Sequence, residues 1–139
     1  FLSWFLINLL LIPRKRDDKN PKRDPIFILD SYLKNGKSLI FFPEGSRGKA
    51  GKIQVFKKGL GHLMKKNMNI PIVPVYLEGI GRVLPKGNKI MLPGITKIYF
   101  GNPIFLENES VEEIVEKAEN AVHDLKNRCD NNNSSNLRE

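Results

Sequence analysis

Apolar residues open the chain almost without a break. FLSWFLINLLLI runs from Phe1 to Ile12, and Pro13 closes it. RKRDDKNPKRD, ending at Asp24, reads as a charged, solvated connection. Asp24-Pro25 then supplies a helix N-cap followed by proline at the first helical position. Ile26, Leu29, Tyr32 and Leu33 follow at helical spacing, and Asn35-Gly36 gives the stop. SLIFF, Ser38 to Phe42, is a short apolar run between Gly36 and Pro43 and predicts a buried strand. Residues 43–55 form a loop rich in glycine and lysine. Phe56 to Asn67 places Leu60, Leu63 and Met64 on one side and lysines on the other, which predicts a helix. IPIVPVYLEG predicts a second buried strand, with Pro71 and Pro74 confining it to an edge, a bulge or its ends. KIMLPG and KIYFGNPI read as further short strands.

Ser110 and Glu113 make a capping box ahead of the clearest helix. Its apolar stripe is Val111, Ile114, Val115, Ala118, Ala121, Val122 and Leu125. From Asp130 the polar stretch DNNNSSNLRE predicts a frayed or disordered tail. The order helix, strand, loop, helix, strand implies an α/β layer whose two strands around residues 56–67 are parallel neighbours. In such sheets ligands gather at the loops beyond the strands' carboxyl ends. Glu44, Gly45, Ser46 and Arg47 lie on such a loop.

Composition narrows the class. The 139 residues suffice for one domain with a real core. With 40% hydrophobic and 27% charged residues the chain reads as globular. A net charge of +8 favours nucleic acid, anionic membrane or phosphorylated small molecules without choosing among them. Cys129 is the only cysteine, which rules out an internal disulfide, and His62 and His123 lie too far apart in sequence to suggest zinc. Asn108-Glu109-Ser110 matches a glycosylation sequon, with nothing else in favour of secretion. The opening apolar run is shorter than the roughly 20 residues a bilayer crossing needs, and it lacks the flanks of a signal peptide. It fits a core helix, or a helix lying at a membrane surface with PRKR against anionic headgroups. A first residue that is not methionine suggests a fragment of a longer protein.

Several catalytic motifs fail. No G-x-S-x-G surrounds Ser46, because Glu44 stands two places before it. Gly36-Lys37-Ser38 imitates the tail of a P-loop without its first glycine, and Gly59-Leu60-Gly61 lacks the third glycine of a dinucleotide fingerprint. What stands is a cluster of cations around a glycine-rich turn: Arg47, Lys49, Lys52, Lys57 and Lys58. The planar arginine fork holds two phosphate oxygens, whereas lysine acts as a point charge. Gly45 and Gly48 let backbone N–H groups approach an anion. Glu44 is suited to orient the Arg47 guanidinium or to accept a hydrogen bond from a substrate hydroxyl. The competing reading is a solvated basic loop whose Glu44–Arg47 ion pair is worth about 0–1 kcal/mol.

FFPEGSRGKAGKIQVFKKGLGHL resembles the third motif of the glycerolipid acyltransferases, the lysophosphatidic acid and glycerol-3-phosphate acyltransferase family. That motif is a strand ending F-P-E-G-[ST]-R, then a loop, then F-K-x-G. Phe42 to Arg47 match its first half, and Phe56, Lys57 and Gly59 its second. IPIVPVYLEG is similar to the fourth motif, and LPKG and YFGNPI to its continuation, so the resemblance covers roughly residues 10 to 105. It implies a mixed, largely parallel sheet flanked by helices, incomplete at the amino terminus. Residues 1–129 would then be the carboxyl-terminal part of one acyltransferase domain and 130–139 a tail.

The implied reaction moves a fatty acyl group from a thioester to the free hydroxyl of lysophosphatidic acid or a related glycerol phosphate, in phospholipid synthesis. Arg47, supported by Lys57, Gly45 and Ser46, would bind the acceptor's phosphate, and Glu44 would place its glycerol end. The acyl donor is coenzyme A or acyl carrier protein, and no cofactor or metal is expected. The family's base is the histidine of H-x-x-x-x-D. Here Asn67 stands five places after His62 and Arg128 five after His123, so the pair is expected upstream of Phe1 and the chain alone is expected to be inactive. The family's second-motif arginine has Arg14 as its nearest candidate. Membrane association at the cytoplasmic face is expected. A non-catalytic relative that binds lipid or a partner is the first alternative. A nucleic-acid module is a weaker one, because the aromatics fall in expected core segments rather than between surface lysines.

Overall fold

A computed structural model describes residues 24–46, 51–83 and 92–135, the side chains of 132–135 aside. The chain divides into two units, residues 1–40 and 41–139. Within the first, helix α1 spans Pro25–Lys34. Its ends are those the sequence predicts. The Asp24 carboxylate accepts from the Ile26 N–H at 2.8 Å. At the other end Gly36 N–H donates to Leu33 O and Lys37 N–H to Tyr32 O, with Gly36 at φ 70°. Those paired bonds are a Schellman stop, which uses up carbonyls that a helix end leaves open.

The second unit contains α2 (Gly59–Lys65), β1 (Val75–Glu78), α3 (Ile80–Val83), β2 (Lys97–Phe100) and α4 (Val111–Ser135). The capping box forms as expected: Ser110 N–H donates to Glu113 Oε2 at 2.7 Å, and Glu113 N–H to Ser110 Oγ at 3.2 Å. The predicted stripe is the buried face of α4, with Ile114, Ala118, Leu125 and then Cys129 inside. α4 packs along both α2 and β1. Leu63 from α2 and Ile114 from α4 are the largest fully buried side chains among the described residues.

The strands are where expectation and structure part. Among the described residues the sheet has two strands, β1 and β2, paired antiparallel with Tyr76 opposite Tyr99. The expected parallel pairing with Ser38–Phe42 is not present, because that segment takes no strand. Ile40 is 90% exposed and Phe42 67%, and an apolar run forms a buried strand only where a neighbouring backbone takes up its N–H and C=O groups. The stretch 70–79 is a strand only from Val75, and it is half-exposed rather than buried. Pro71 and Pro74 cannot donate to a ladder, and the pairing before Val75 shrinks to an Ile72–Ile104 bridge. Residues 101–103 face only 73–74 between that bridge and the Val75–Phe100 pair, so the second strand bulges by one residue at Gly101-Asn102-Pro103. KIMLPG lies partly outside the described residues, and its described part, 92–94, is not a strand.

Each face of the hairpin has its own chemistry. Tyr76 and Tyr99 stack with ring centroids 6.4 Å apart, and Tyr99 donates to Glu78 at 3.0 Å. Lys126 and Asp130 of α4 lie close enough to act on Tyr76, so this is the face that α4 covers. By alternation Val75, Ile98 and Phe100 lie on the other side, and they are exposed. α4 itself runs on through Ser135, past the Asp130 boundary expected from composition. Buried Cys129 and the Lys126–Asp130 pair at 2.6 Å hold the last turns, and extending an established helix costs little.

Candidate functional site

Residues 42–45 reverse the chain. Gly45 N–H donates to Phe42 O at 3.1 Å, which closes a β-turn with Pro43 in its second place. Gly45 takes φ 70°, where a residue without Cβ is at home. Residues 51–58 then return beside the turn as a strap. Gln54 N–H donates to Glu44 Oε2 at 2.9 Å, and Lys57 N–H to Pro43 O at 2.9 Å. Turn and strap are thus joined through a side chain and through the backbone.

The join brings the Lys57 side chain onto the turn. A Cβ built on Gly45 would stand 2.8 Å from Lys57 Nζ and 3.0 Å from its Cδ and Cε. A side chain at position 45 would push the ammonium from this place. Lys57 remains solvent-exposed, so its cation is open to an anion arriving at the turn.

The strap is held from behind by α4. Phe56 N–H donates to Glu119 Oε2 at 2.9 Å, and the Phe56 ring is buried. Lys58 Nζ meets Glu112 Oε1 at 2.7 Å and holds that carboxyl below its usual range. α2 begins at Gly59 rather than at Phe56, where its periodicity predicts the start. The amides of Phe56 and Lys57 are committed to Glu119 and Pro43 and stand outside the helix.

The structure therefore gathers Glu44, Gly45 and Lys57 into one loop cluster, with Ser46 exposed beside them. Arg47 and Arg14 lie outside the described residues, as do Lys49 and Gly48. Lys58, one of the expected cations, turns instead to Glu112. His62 on α2 and His123 on α4 are both exposed, and neither has an aspartate five places on. Among the described residues no group of His, Cys, Asp and Glu is placed to hold a metal ion. No helix among them is long and apolar enough to cross a membrane. Sequence reasoning singled out Glu44 without its tie to the strap, and it missed Glu119 altogether. Glu44 clamps the strap through Gln54, and Glu119 anchors it from 63 positions away. Only an acidic position bordering the α4 stripe hinted at the second.

Comparison with known proteins gives the cluster a setting. The acyltransferase family profile matches residues 1–78, which include the turn, the strap and α2. A chloroplastic 1-acyl-sn-glycerol-3-phosphate acyltransferase of Brassica napus is 32% identical over 105 residues, 75% of this chain and 30% of that protein. Its Arabidopsis thaliana counterpart, also chloroplastic, is 33% identical over 104 residues, 74% of this chain and 29% of that protein. A 1-acyl-sn-glycerol-3-phosphate acyltransferase of Pseudomonas aeruginosa is 29% identical over 119 residues, 84% of this chain and 45% of that protein. The chain thus spans about a third of the length of the plant relatives. No solved structure matches it significantly. The profile covers more than half of the chain, and the chain belongs to the acyltransferase family.

Proposed function

We propose that the chain contributes the acceptor-binding part of an enzyme that acylates the free hydroxyl of lysophosphatidic acid or a close glycerol phosphate. The observation that carries this reading is the Lys57 ammonium laid over the Gly45 turn, within the stretch that the family profile matches. A phosphate monoester carries a charge of about −1.5 to −2 and three acceptor oxygens. A turn with a cation across it suits that group, and Arg47, two places beyond Gly45, adds a fork able to hold two oxygens at once.

In this reading the phosphate is fixed first and the glycerol hydroxyl follows from it. The hydroxyl oxygen attacks the thioester carbonyl, an ester C–O bond forms, and the C–S bond breaks. The hydroxyl proton passes to a base and then to the departing thiolate. Neither His62 nor His123 is that base, which belongs to another part of the enzyme. Holding acceptor and donor in register makes the attack effectively unimolecular, a large share of the rate gain open to such an enzyme. The donor is coenzyme A or acyl carrier protein, and the enzyme works at the cytoplasmic face of an anionic membrane, in keeping with the net charge of +8.

Arg47→Ala in the intact protein tests the reading. KM for the lysophosphatidic acceptor should rise at least about tenfold, with the acyl-donor KM within about twofold. Unchanged acceptor kinetics would remove Arg47 from phosphate binding.

A further inference from the structure

We propose that Glu119 is a positioning residue for the acceptor site: from α4 it fixes the strap whose next residue, Lys57, lies on the Gly45 turn. The proposal rests on the phosphate-binding reading given above. Its basis is the path of hydrogen bonds. The Phe56 amide has no partner in a helix or strand, and its proton goes to Glu119 Oε2 at 2.9 Å. A bond from an amide to an ionised carboxylate is roughly twice as strong as one between neutral groups. Phe56 itself is buried, so an amide stripped of that acceptor would be left beside a desolvated ring.

Lys57 is one peptide further on. Its own amide bonds Pro43 O and its side chain lies against Gly45, so any shift of the Phe56 peptide passes directly to the ammonium. Glu112, seven positions before Glu119 and so close to two helical turns away on the same face, pairs with Lys58 on the far side of Lys57. The strap is tied to α4 on both sides of the residue that points away from it. α4 has no contact with the turn among those described above, yet it sets where the turn's cation stands. Acceptor affinity is thereby coupled to a helix that follows the matched region, residues 1–78.

The test uses the intact protein with 1-acyl-glycerol 3-phosphate and an acyl thioester as substrates, and each variant is also melted. Glu119→Ala should raise acceptor KM roughly three- to tenfold and leave donor KM within about twofold. Glu119→Gln keeps an acceptor oxygen and should recover most of the loss. Glu119→Asp withdraws that oxygen by one methylene and should fall between them, which serves if the alanine variant folds poorly. Lys57→Ala should raise acceptor KM by itself, and Lys57→Ala with Glu119→Ala should do no worse, because both changes act through the same ammonium. If Lys57→Ala raises acceptor KM while Glu119→Ala and Glu119→Asp lower only the melting temperature, Glu119 is a tether and the proposal is overturned, with the phosphate reading intact. Additive losses in the double variant also overturn it. If Lys57→Ala leaves acceptor KM unchanged, the phosphate reading falls and takes the proposal with it.

Discussion

The Lys57 ammonium stands 2.8 Å from where a Cβ on Gly45 would be, so it holds this place over the turn only while position 45 lacks a side chain. Gly51 offers a control. It has a positive φ of 74°, like Gly45 at 70°, but a Cβ there would meet nothing within 4 Å. Alanine at either position meets the backbone cost of about 1 kcal/mol for a left-handed residue. Only Gly45→Ala must also expel Lys57. Both variants should therefore lose similar stability on urea titration, while Gly45→Ala alone raises acceptor KM, by roughly tenfold. Equal acceptor KM values in the two would separate the turn from acceptor binding.

The next pair of glycines separates packing from motif. A Cβ on Gly61 would run into the Val111 carbonyl oxygen, and backbone cannot swing aside as a lysine can. Gly61→Ala should cost about 1–3 kcal/mol in denaturant unfolding as α2 is pushed from α4. Gly59, the glycine that matches the family motif, has only the Phe41 ring at 3.8 Å. Gly59→Ala should be close to neutral for stability, and any effect on activity would then arise from the substrate.

Ile114 is 0% exposed and Leu63 2%, at the contact between α4 and α2. Ile114→Ala and Leu63→Ala should each lose about 2–5 kcal/mol in equilibrium unfolding, the transfer free energy of the removed atoms plus the cavity left behind. Val55 is 79% exposed on the strap, and Val55→Ala should stay within about 0.5 kcal/mol.

Acid stability follows from the start of α4. Lys117 donates to the Glu109 carboxylate, and the Glu107 amide does so as well, which together lower the Glu109 pKa from 4.5 to about 2. Glu112 and Glu113 shift in the same direction, Glu112 through Lys58 and Glu113 through the Ser110 amide. A carboxyl whose pKa falls on folding stabilises the protein fully above its unfolded value and loses that contribution as pH drops through its folded value. The melting temperature should thus decline from 4.5 down to about 2, and Glu109→Gln should flatten that decline while lowering the plateau above it. A decline of the same steepness in Glu109→Gln would place the acid sensitivity elsewhere.

Local grammar made the helices legible. Asp24-Pro25, Asn35-Gly36, and Ser110 with Glu113 are signals that act within a turn of chain, and each forms the hydrogen bonds its spacing implies. The α4 stripe likewise needs only its own periodicity. Strands depend on partners elsewhere in the chain, so an apolar run such as Ser38–Phe42 does not reveal whether one is at hand. In the site, the composition of the turn pointed to Glu44, Gly45 and Lys57. The ties that hold them were not legible, because Glu44 meets Gln54 through its side chain and Glu119 meets Phe56 across 63 positions. A carboxylate bound to a backbone amide leaves no mark in a pattern of apolar and polar residues.

Lysine labelling reads the acceptor site directly. The intact protein is treated with an amine-acetylating reagent, with and without saturating lysophosphatidic acid, and acetylation is followed residue by residue by mass spectrometry. Lys66, exposed at the end of α2, serves as the reference. Lysophosphatidic acid should slow acetylation of Lys57 by at least about fivefold and leave Lys66 unchanged, because a phosphate held at the Gly45 turn covers the ammonium lying across it. Equal labelling of Lys57 with and without the ligand, under conditions where the enzyme turns it over, would contradict a phosphate site at that turn.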